Sequence, residues 1–115
     1  MKVLLIDDDD STLSVYSIAL KQAGIDIATA STSTDGINKA RSEKPDIIVL
    51  DQILPDASGN ETLKELKSQE ETKNIPVLIL SNFSQQELVR GAIDGGVVDY
   101  IFKYQVEPRE VIDKI

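Results

Sequence analysis

Five side chains that could take part in catalysis or metal binding follow short apolar runs in this 115-residue sequence. They are Asp7 and Asp8 after the first run, Asp51 after the third, Ser81 after the fourth and Lys103 after the fifth. Carboxylates held close together attract a hard divalent cation such as Mg²⁺, which takes oxygen ligands. A carboxylate beside that cation can attack a phosphoryl group, while a hydroxyl and an ammonium group bind the phosphoryl oxygens. These residue types therefore indicate phosphoryl transfer to an aspartate.

The run that precedes Asp51 predicts where this chemistry is centred. Ile47–Leu50 contains four consecutive apolar residues, mostly β-branched, between Asp46 and Asp51. Such a run is too short for a buried helix and is typical of a central strand covered on both faces. In open α/β sheets, sites form outside the carboxyl ends of the strands. We therefore expect Asp51 to lie in the site.

The rest of the chain predicts elements that alternate around this strand. The predicted strands are Val3–Ile6, Ile25–Thr29, Ile47–Leu50, Pro76–Leu80 and Tyr100–Phe102. Five helices are predicted to follow these strands. The first runs from the capping residues Ser11 and Thr12 to about Ala23, the second from Ser31–Thr34 to about Glu43, and the third from about Asn60 to Gln69. The fourth runs from a capping box at Ser84–Glu87 to about Asp94, and the fifth begins at Pro108. Five strand–helix units imply an α/β fold, a doubly wound five-stranded parallel sheet with right-handed crossovers. Residues 1–115 are expected to form one domain.

Composition excludes several other classes of site. There is no cysteine and no histidine, so thiolate metal sites, disulfides, a histidine base and a phosphohistidine relay are ruled out. The net charge of −8 argues against direct binding to nucleic acid or to an anionic membrane. The first apolar run is too short for a signal peptide, and no run approaches the roughly 20 residues of a membrane span. We expect a soluble, cytoplasmic protein.

The sequence resembles the receiver domain of two-component response regulators, in the single-domain layout typical of chemotaxis regulators. The resemblance extends over all 115 residues and depends on matched positions in the expected order. These are Ile6-Asp7-Asp8, Val49-Leu50-Asp51 with Pro55 and Gly59, Ile79-Leu80-Ser81, and Tyr100-Ile101-Phe102-Lys103. It implies a flavodoxin-like (βα)5 fold with strand order 2-1-3-4-5.

The resemblance also implies a role for each acidic residue. Asp51 would be the phosphate acceptor and a metal ligand. Asp8 would bind Mg²⁺ directly and Asp7 through water, with Mn²⁺ as the alternative ion. Ile53 would supply its backbone carbonyl to the metal, a role that leaves its side chain free to vary.

Three further roles concern the phosphoryl group and its detection. Ser81 would be the switch hydroxyl that moves towards the phosphate, and Lys103 the phosphate-binding cation. Tyr100 would be the aromatic residue that changes rotamer with Ser81. Phosphorylation would then switch a protein-interaction surface on the last strand and its flanking helices.

The implied partners follow from this role. A sensor histidine kinase, a phosphotransfer protein or a small phosphodonor would phosphorylate Asp51. The domain would catalyse only its own phosphoryl transfer and slow autodephosphorylation. The predicted final helix is short and ends on the apolar Ile115, so we expect the natural polypeptide to continue, and an output domain or a separate effector would carry the signal. The chain is expected to be a monomer, with dimerisation on phosphorylation as the alternative.

Three positions depart from the family pattern. Tyr104 stands where the family usually has proline, so either the Lys103–Tyr104 bond is trans and the loop is re-routed, or a costly cis bond is kept. Asn82 replaces a small residue and narrows access to the site. Phe83 and Ile53 make the rim apolar, which predicts slow attack by water on the phosphoryl group.

Two alternatives remain open at the level of sequence. Asp7-Asp8-Asp9 contains the D-x-D pattern of haloacid-dehalogenase-like phosphatases, in which Asp7 would be the nucleophile. The chain is short for that fold, and Asp51 would have no role in it. The other alternative is a receiver used as a passive interaction module that is never phosphorylated. Asp7 and Asp8 could also be a solvated acidic turn, an interpretation that we retain for Asp9 and Asp10.

Overall fold

A computed structural model describes all 115 residues and contains five strands and five α-helices. The strands are β1 (Lys2–Ile6), β2 (Asp26–Ala30), β3 (Ile47–Leu50), β4 (Val77–Ser81) and β5 (Asp99–Phe102). The helices are α1 (Asp10–Gln22), α2 (Ser33–Glu43), α3 (Gly59–Ser68), α4 (Gln86–Asp94) and α5 (Pro108–Lys114). The predicted order of elements is confirmed, and the predicted strand boundaries differ from these by one residue at most.

All strands pair in parallel, in the order β2-β1-β3-β4-β5. This is the predicted doubly wound, flavodoxin-like arrangement. In the register, Ile6 lies beside Leu50, and Leu50 beside Ile79. The residues that follow these strands therefore leave the sheet at one common edge.

Side chains of the inner strands alternate between two apolar clusters, one on each face of the sheet. Leu4, Ile48 and Ile79 pack in the cluster that contains residues of α2, α3 and α4. Val49 and Leu78 pack in the cluster that contains residues of α1 and α5. Helices thus cover both faces, which explains why β3 is an uninterrupted apolar run, buried throughout.

The helix caps differ in detail from the sequence predictions. The N-cap of α1 is Asp9, whose carboxylate accepts from the Ser11 amide and the Thr12 hydroxyl, so the predicted capping by Ser11 and Thr12 is wrong. The capping box predicted at Ser84–Glu87 is also wrong, because α4 begins after Gln85 without a side-chain cap. A capping box forms instead at α3, between Ser58 and Glu61.

The segment after β5 shows the backbone geometry that accompanies Tyr104 in place of the usual proline. The chain contains no cis peptide bond, so the Lys103–Tyr104 bond is trans. Lys103–Gln105 forms a single 3₁₀ turn that leads towards α5. The tyrosine is 60% exposed and stacks on Phe102.

No helix of the protein combines the length and the apolar character needed to cross a bilayer.

Candidate functional site

Three carboxylates converge at the carboxyl edge of the central strands. Asp7 and Asp8 follow β1, and Asp51 follows β3. One carboxylate oxygen from each lies within 4.8 Å of the other two. Asp7 is 1% exposed and Asp51 7%, whereas Asp8 faces solvent. The cluster is therefore closed on the protein side and open at Asp8.

Lys103 reaches into this cluster from the end of β5. Its ammonium nitrogen lies 2.5 Å from Asp7 Oδ2 and 3.8 Å from Asp51 Oδ1. The lysine side chain is only 15% exposed, so the ion pair with Asp7 is largely withdrawn from water. The trans bond to Tyr104 thus leaves Lys103 able to reach both acids.

The environment of Asp51 disfavours its charged form. Burial, followed by repulsion from Asp7, raises the pKa of Asp51 to about 6, although Lys103 and the Gln52 amide oppose the shift. The Gln52 amide donates to Asp51 Oδ1 at 2.9 Å. A carboxyl group with such a pKa beside two other acids and a lysine is a candidate functional group on physical grounds.

The donor set fits a hard divalent cation. Three carboxylates supply oxygen ligands of the kind that Mg²⁺ prefers, and the open side at Asp8 leaves room for the waters that Mg²⁺ retains. The backbone carbonyl of Ile53 accepts no hydrogen bond in the structure, so it too is free to act as a ligand. A cation would also reduce the repulsion between Asp7 and Asp51.

Ser81 is the last residue of β4 and is fully buried. Its hydroxyl oxygen accepts from the Phe83 amide at 3.1 Å. The structure therefore places Ser81 at the same edge of the sheet, but bonded to the β4–α4 loop rather than to one of the acids. The hydroxyl proton has no acceptor and could be donated to a ligand.

Tyr100 lies in β5 and is half-buried against the α2–α3–α4 cluster. Its hydroxyl donates to the Phe83 carbonyl at 2.7 Å. Phe83 thus bonds Ser81 through its N–H and Tyr100 through its C=O. The side chains predicted to form the rim, Ile53 and Phe83, are 43% and 38% exposed, and Asn82 is exposed as well.

Sequence reasoning missed the contacts of two polar residues, Gln52 and Asp56. Gln52 directly follows Asp51, is completely buried and bonds Asn60 and Tyr100. Asp56 is exposed, and its carboxylate accepts from the Ser33 and Thr34 amides at the start of α2. A polar residue beside a predicted acceptor was the available signal for Gln52, but local sequence does not reveal burial.

The fold and site together define a class: a flavodoxin-like α/β domain with a carboxylate cluster and a lysine at the carboxyl edge of its sheet. Comparison with known families makes the assignment specific. The model of the response regulator receiver domain matches residues 3–115, and the chain belongs to this family. Receiver domains of two-component systems are signalling domains rather than classical enzymes.

Curated relatives agree with this assignment. The chain is 37% identical over 111 residues to the alkaline phosphatase synthesis transcriptional regulatory protein PhoP of Bacillus subtilis, covering 96% of this chain and 45% of the relative. It is 37% identical over 103 residues to the DNA-binding dual master transcriptional regulator RpaA of Synechocystis, covering 89% of this chain and 42% of the relative. The chain thus spans less than half the length of these relatives.

Solved structures agree as well. A CheY-like response regulator receiver domain protein from Methanospirillum hungatei aligns with a TM-score of 0.91 at 25% identity, covering 98% of this chain and 88% of that one. The chemotaxis protein CheY4 of Vibrio cholerae aligns with a TM-score of 0.90 at 26% identity, covering 98% and 93%. These likenesses confirm the predicted fold class.

Proposed function

We propose that this domain is a signalling switch that accepts a phosphoryl group on Asp51 in the presence of Mg²⁺. The observation that carries the proposal is the convergence of Asp7, Asp8 and Asp51 with Lys103 at one edge of the sheet. Positioning and charge neutralisation are most of what phosphoryl transfer asks of a protein. This site supplies both.

In the proposed reaction, an Asp51 carboxylate oxygen attacks the phosphorus of a phosphohistidine or a small acyl phosphate. A P–O bond to Asp51 forms, the bond to the donor breaks, and the donor leaves with that electron pair. Asp7, Asp8, Asp51 and the Ile53 carbonyl would hold Mg²⁺, which supplies charge neutralisation when bound. Ionisation of Asp51, whose pKa is raised to about 6, is favoured at neutral pH.

The transferred group would then be held by this chain's own donors. Lys103, already 3.8 Å from Asp51, would pair with one phosphoryl oxygen. The unpartnered Ser81 proton would be donated to another. A phosphoryl group held by Ser81 would favour the Tyr100 conformer seen here, because both side chains bond the backbone of the same residue, Phe83. Through Tyr100, the surface of β5 and its flanking helices would change.

Slow loss of the phosphoryl group is part of the proposal. Ile53 and Phe83 present apolar side chains at the rim. Neither can orient a water molecule for attack on phosphorus. The phosphorylated state would therefore be long-lived in the isolated domain.

The proposed partners are a sensor histidine kinase or phosphotransfer protein, and an output domain or effector. Response regulators act with histidine kinases, and the two relatives described above are named as transcriptional regulators. The proposal for this chain is that it receives the signal, in the cytoplasm and without binding nucleic acid directly. We propose that residues 1–115 form one receiver domain.

Labelling with a small acyl phosphate in Mg²⁺, followed by borohydride reduction and peptide mapping, tests the assignment. Reduction at Asp51, and none in Asp51→Asn, is the expected result. Label on Asp7 would favour the phosphatase alternative. Beryllofluoride, which mimics an acyl phosphate, tests the passive alternative, because a passive module would not bind it even with Mg²⁺ present.

A further inference from the structure

Gln52 directly follows the proposed acceptor, Asp51, and its side chain bonds residues of α3 and β5. Its side chain is completely buried, yet each of its polar atoms has a partner. Oε1 accepts from the Asn60 amide at 2.9 Å. Nε2 donates to Asn60 Oδ1 at 3.2 Å and to the Tyr100 hydroxyl at 3.3 Å. A buried amide with this set of partners specifies one arrangement of its neighbours.

Two glycines leave the space that this arrangement needs. A Cβ at Gly59 would lie 3.0 Å from Gln52 Oε1 and 2.7 Å from the Asp51 carbonyl oxygen. A Cβ at Gly91 in α4 would lie 2.7 Å from Asn60 Nδ2. Asn60 Nδ2 also donates to the Leu88 carbonyl in α4 at 3.1 Å. The Gln52 side chain is therefore enclosed by α3 and tied through Asn60 to α4.

The hydrogen bonds from Gln52 continue back towards the acceptor. Gln52 donates to the Tyr100 hydroxyl, which donates to the Phe83 carbonyl. The Phe83 amide donates to Ser81, which leaves the Ser81 proton free. Gln52 thus bonds Tyr100 in a conformer that we call inward, because the ring packs against the apolar cluster of α2, α3 and α4. Inward Tyr100 in turn bonds Phe83, whose amide is bonded to Ser81.

We infer that Gln52 is a positioning residue, which stabilises the inward Tyr100 conformer and thereby the arrangement of Ser81 that binds a phosphoryl group. The inference concerns a residue outside the ligand set and builds on the proposed phosphoacceptor function. Gln52 need not touch the phosphoryl group. It acts because its bond to the Tyr100 hydroxyl exists only while Tyr100 lies inward.

The variant Gln52→Met tests this with a side chain of similar length that cannot form the bond. The first measurement needs no ligand. NMR of protein with labelled tyrosine rings reports the fraction of Tyr100 near Phe83, and this fraction should fall in Gln52→Met. An unchanged fraction would overturn the inference whether or not Asp51 accepts phosphate. Gln22→Met, which removes the same amide from the exposed end of α1, should leave it unchanged.

The second measurement is beryllofluoride affinity in Mg²⁺. Of the three side-chain hydrogen bonds that Gln52→Met removes, the neutral bond to Tyr100 is the one expected to matter here, and its loss predicts binding about three- to tenfold weaker. In a Tyr100→Phe background, Gln52→Met should have little further effect, because the hydroxyl through which Gln52 acts is already absent. An effect of equal size in both backgrounds would show that Gln52 is merely structural. Absence of binding by the unmodified chain would instead count against the proposed function.

Discussion

Lys103 Nζ lies 2.5 Å from Asp7 Oδ2, which joins the ends of the first and last strands across the acidic cluster. Asp7 is almost completely buried, so its carboxylate depends on this ammonium group for neutralisation when no cation is present. Asp7 is also a proposed ligand of Mg²⁺. Lysine and the metal therefore compete for the same carboxylate.

This competition predicts that Lys103→Met binds Mg²⁺ more tightly than the unmodified chain. Removing a positive charge within 4 Å of two ligands should raise the affinity by at least about threefold, given partly screened Coulomb interactions. Titration by calorimetry at pH 7.5 measures the effect. The same variant should bind beryllofluoride more weakly, because it lacks the Lys103 ammonium group that would pair with one fluorine of the bound phosphoryl mimic.

The matched control for this prediction is Lys114→Met. Lys114 lies 3.5 Å from Asp99 in an exposed ion pair, so its removal changes net charge without touching the cluster. Its Mg²⁺ affinity should stay close to that of the unmodified chain. Equal or weaker Mg²⁺ binding by Lys103→Met would show that the Asp7 ion pair does not oppose the metal.

The raised pKa of Asp51 predicts that Asp51→Asn folds more stably at neutral pH. The folded protein holds this proton up to a pH of about 6, whereas the unfolded chain releases it near its ordinary pKa of 3.8. Between these values the native state binds more protons, so the Asp51 contribution to stability falls as pH rises. Above pH 6 the charged carboxylate destabilises the fold, by about 1–2 kcal/mol after allowance for partial solvation.

Urea unfolding without metal, at pH 4 and at pH 7.5, measures this difference. Asp51→Asn should exceed the unmodified chain in free energy of unfolding at pH 7.5, and the difference should largely vanish at pH 4. A variant with the same advantage at both pH values would indicate a packing effect rather than relief of a buried charge.

The parallel sheet and the meeting of the acids were predictable because they depend on patterns that are local in sequence, whereas the strand order followed only from the family resemblance. The apolar runs define the strands, and parallel pairing brings residues such as Asp7 and Asp51 to one edge. The Gln52 network was not predictable, because its bond to Tyr100 joins residues 48 positions apart. The cap of α4 was mispredicted because Ser84 fits the local pattern of a capping box, although the helix begins after Gln85 without a side-chain cap.

Asp56 provides the next prediction, because it caps α2 from a distant loop. Its carboxylate accepts from the Ser33 amide at 2.8 Å and from the Thr34 amide at 3.0 Å. These backbone bonds lower the pKa of Asp56. The stability it contributes is therefore present above its ordinary pKa and is lost as pH falls through the lower folded value.

Replacing Asp56 with alanine should therefore lower the urea midpoint at pH 7 and have a smaller effect at pH 2. Asp94→Ala is the control, because Asp94 is exposed and its carboxylate makes no bond to a helix N-terminus. A midpoint for Asp56→Ala equal to that of the control at pH 7 would mean that the two backbone bonds contribute nothing measurable.

The apolar rim leads to a kinetic prediction. Ile53 and Phe83 are both partly exposed, so polar replacements could point towards water without disturbing the core. Ile53→Asn should accelerate loss of the phosphoryl group about three- to tenfold, since one new hydrogen bond can orient the attacking water. Release of labelled phosphate from the isolated, phosphorylated domain measures the rate.

The matched control is Ile53→Val, which shortens the side chain without adding a donor or acceptor. If access alone limits hydrolysis, Ile53→Val should accelerate it too, and Ile53→Asn should have no additional effect. If orientation limits it, only the asparagine variant should react faster. A half-life of seconds or less for the unmodified domain would contradict both explanations, because an apolar rim would then provide no protection to the acyl phosphate.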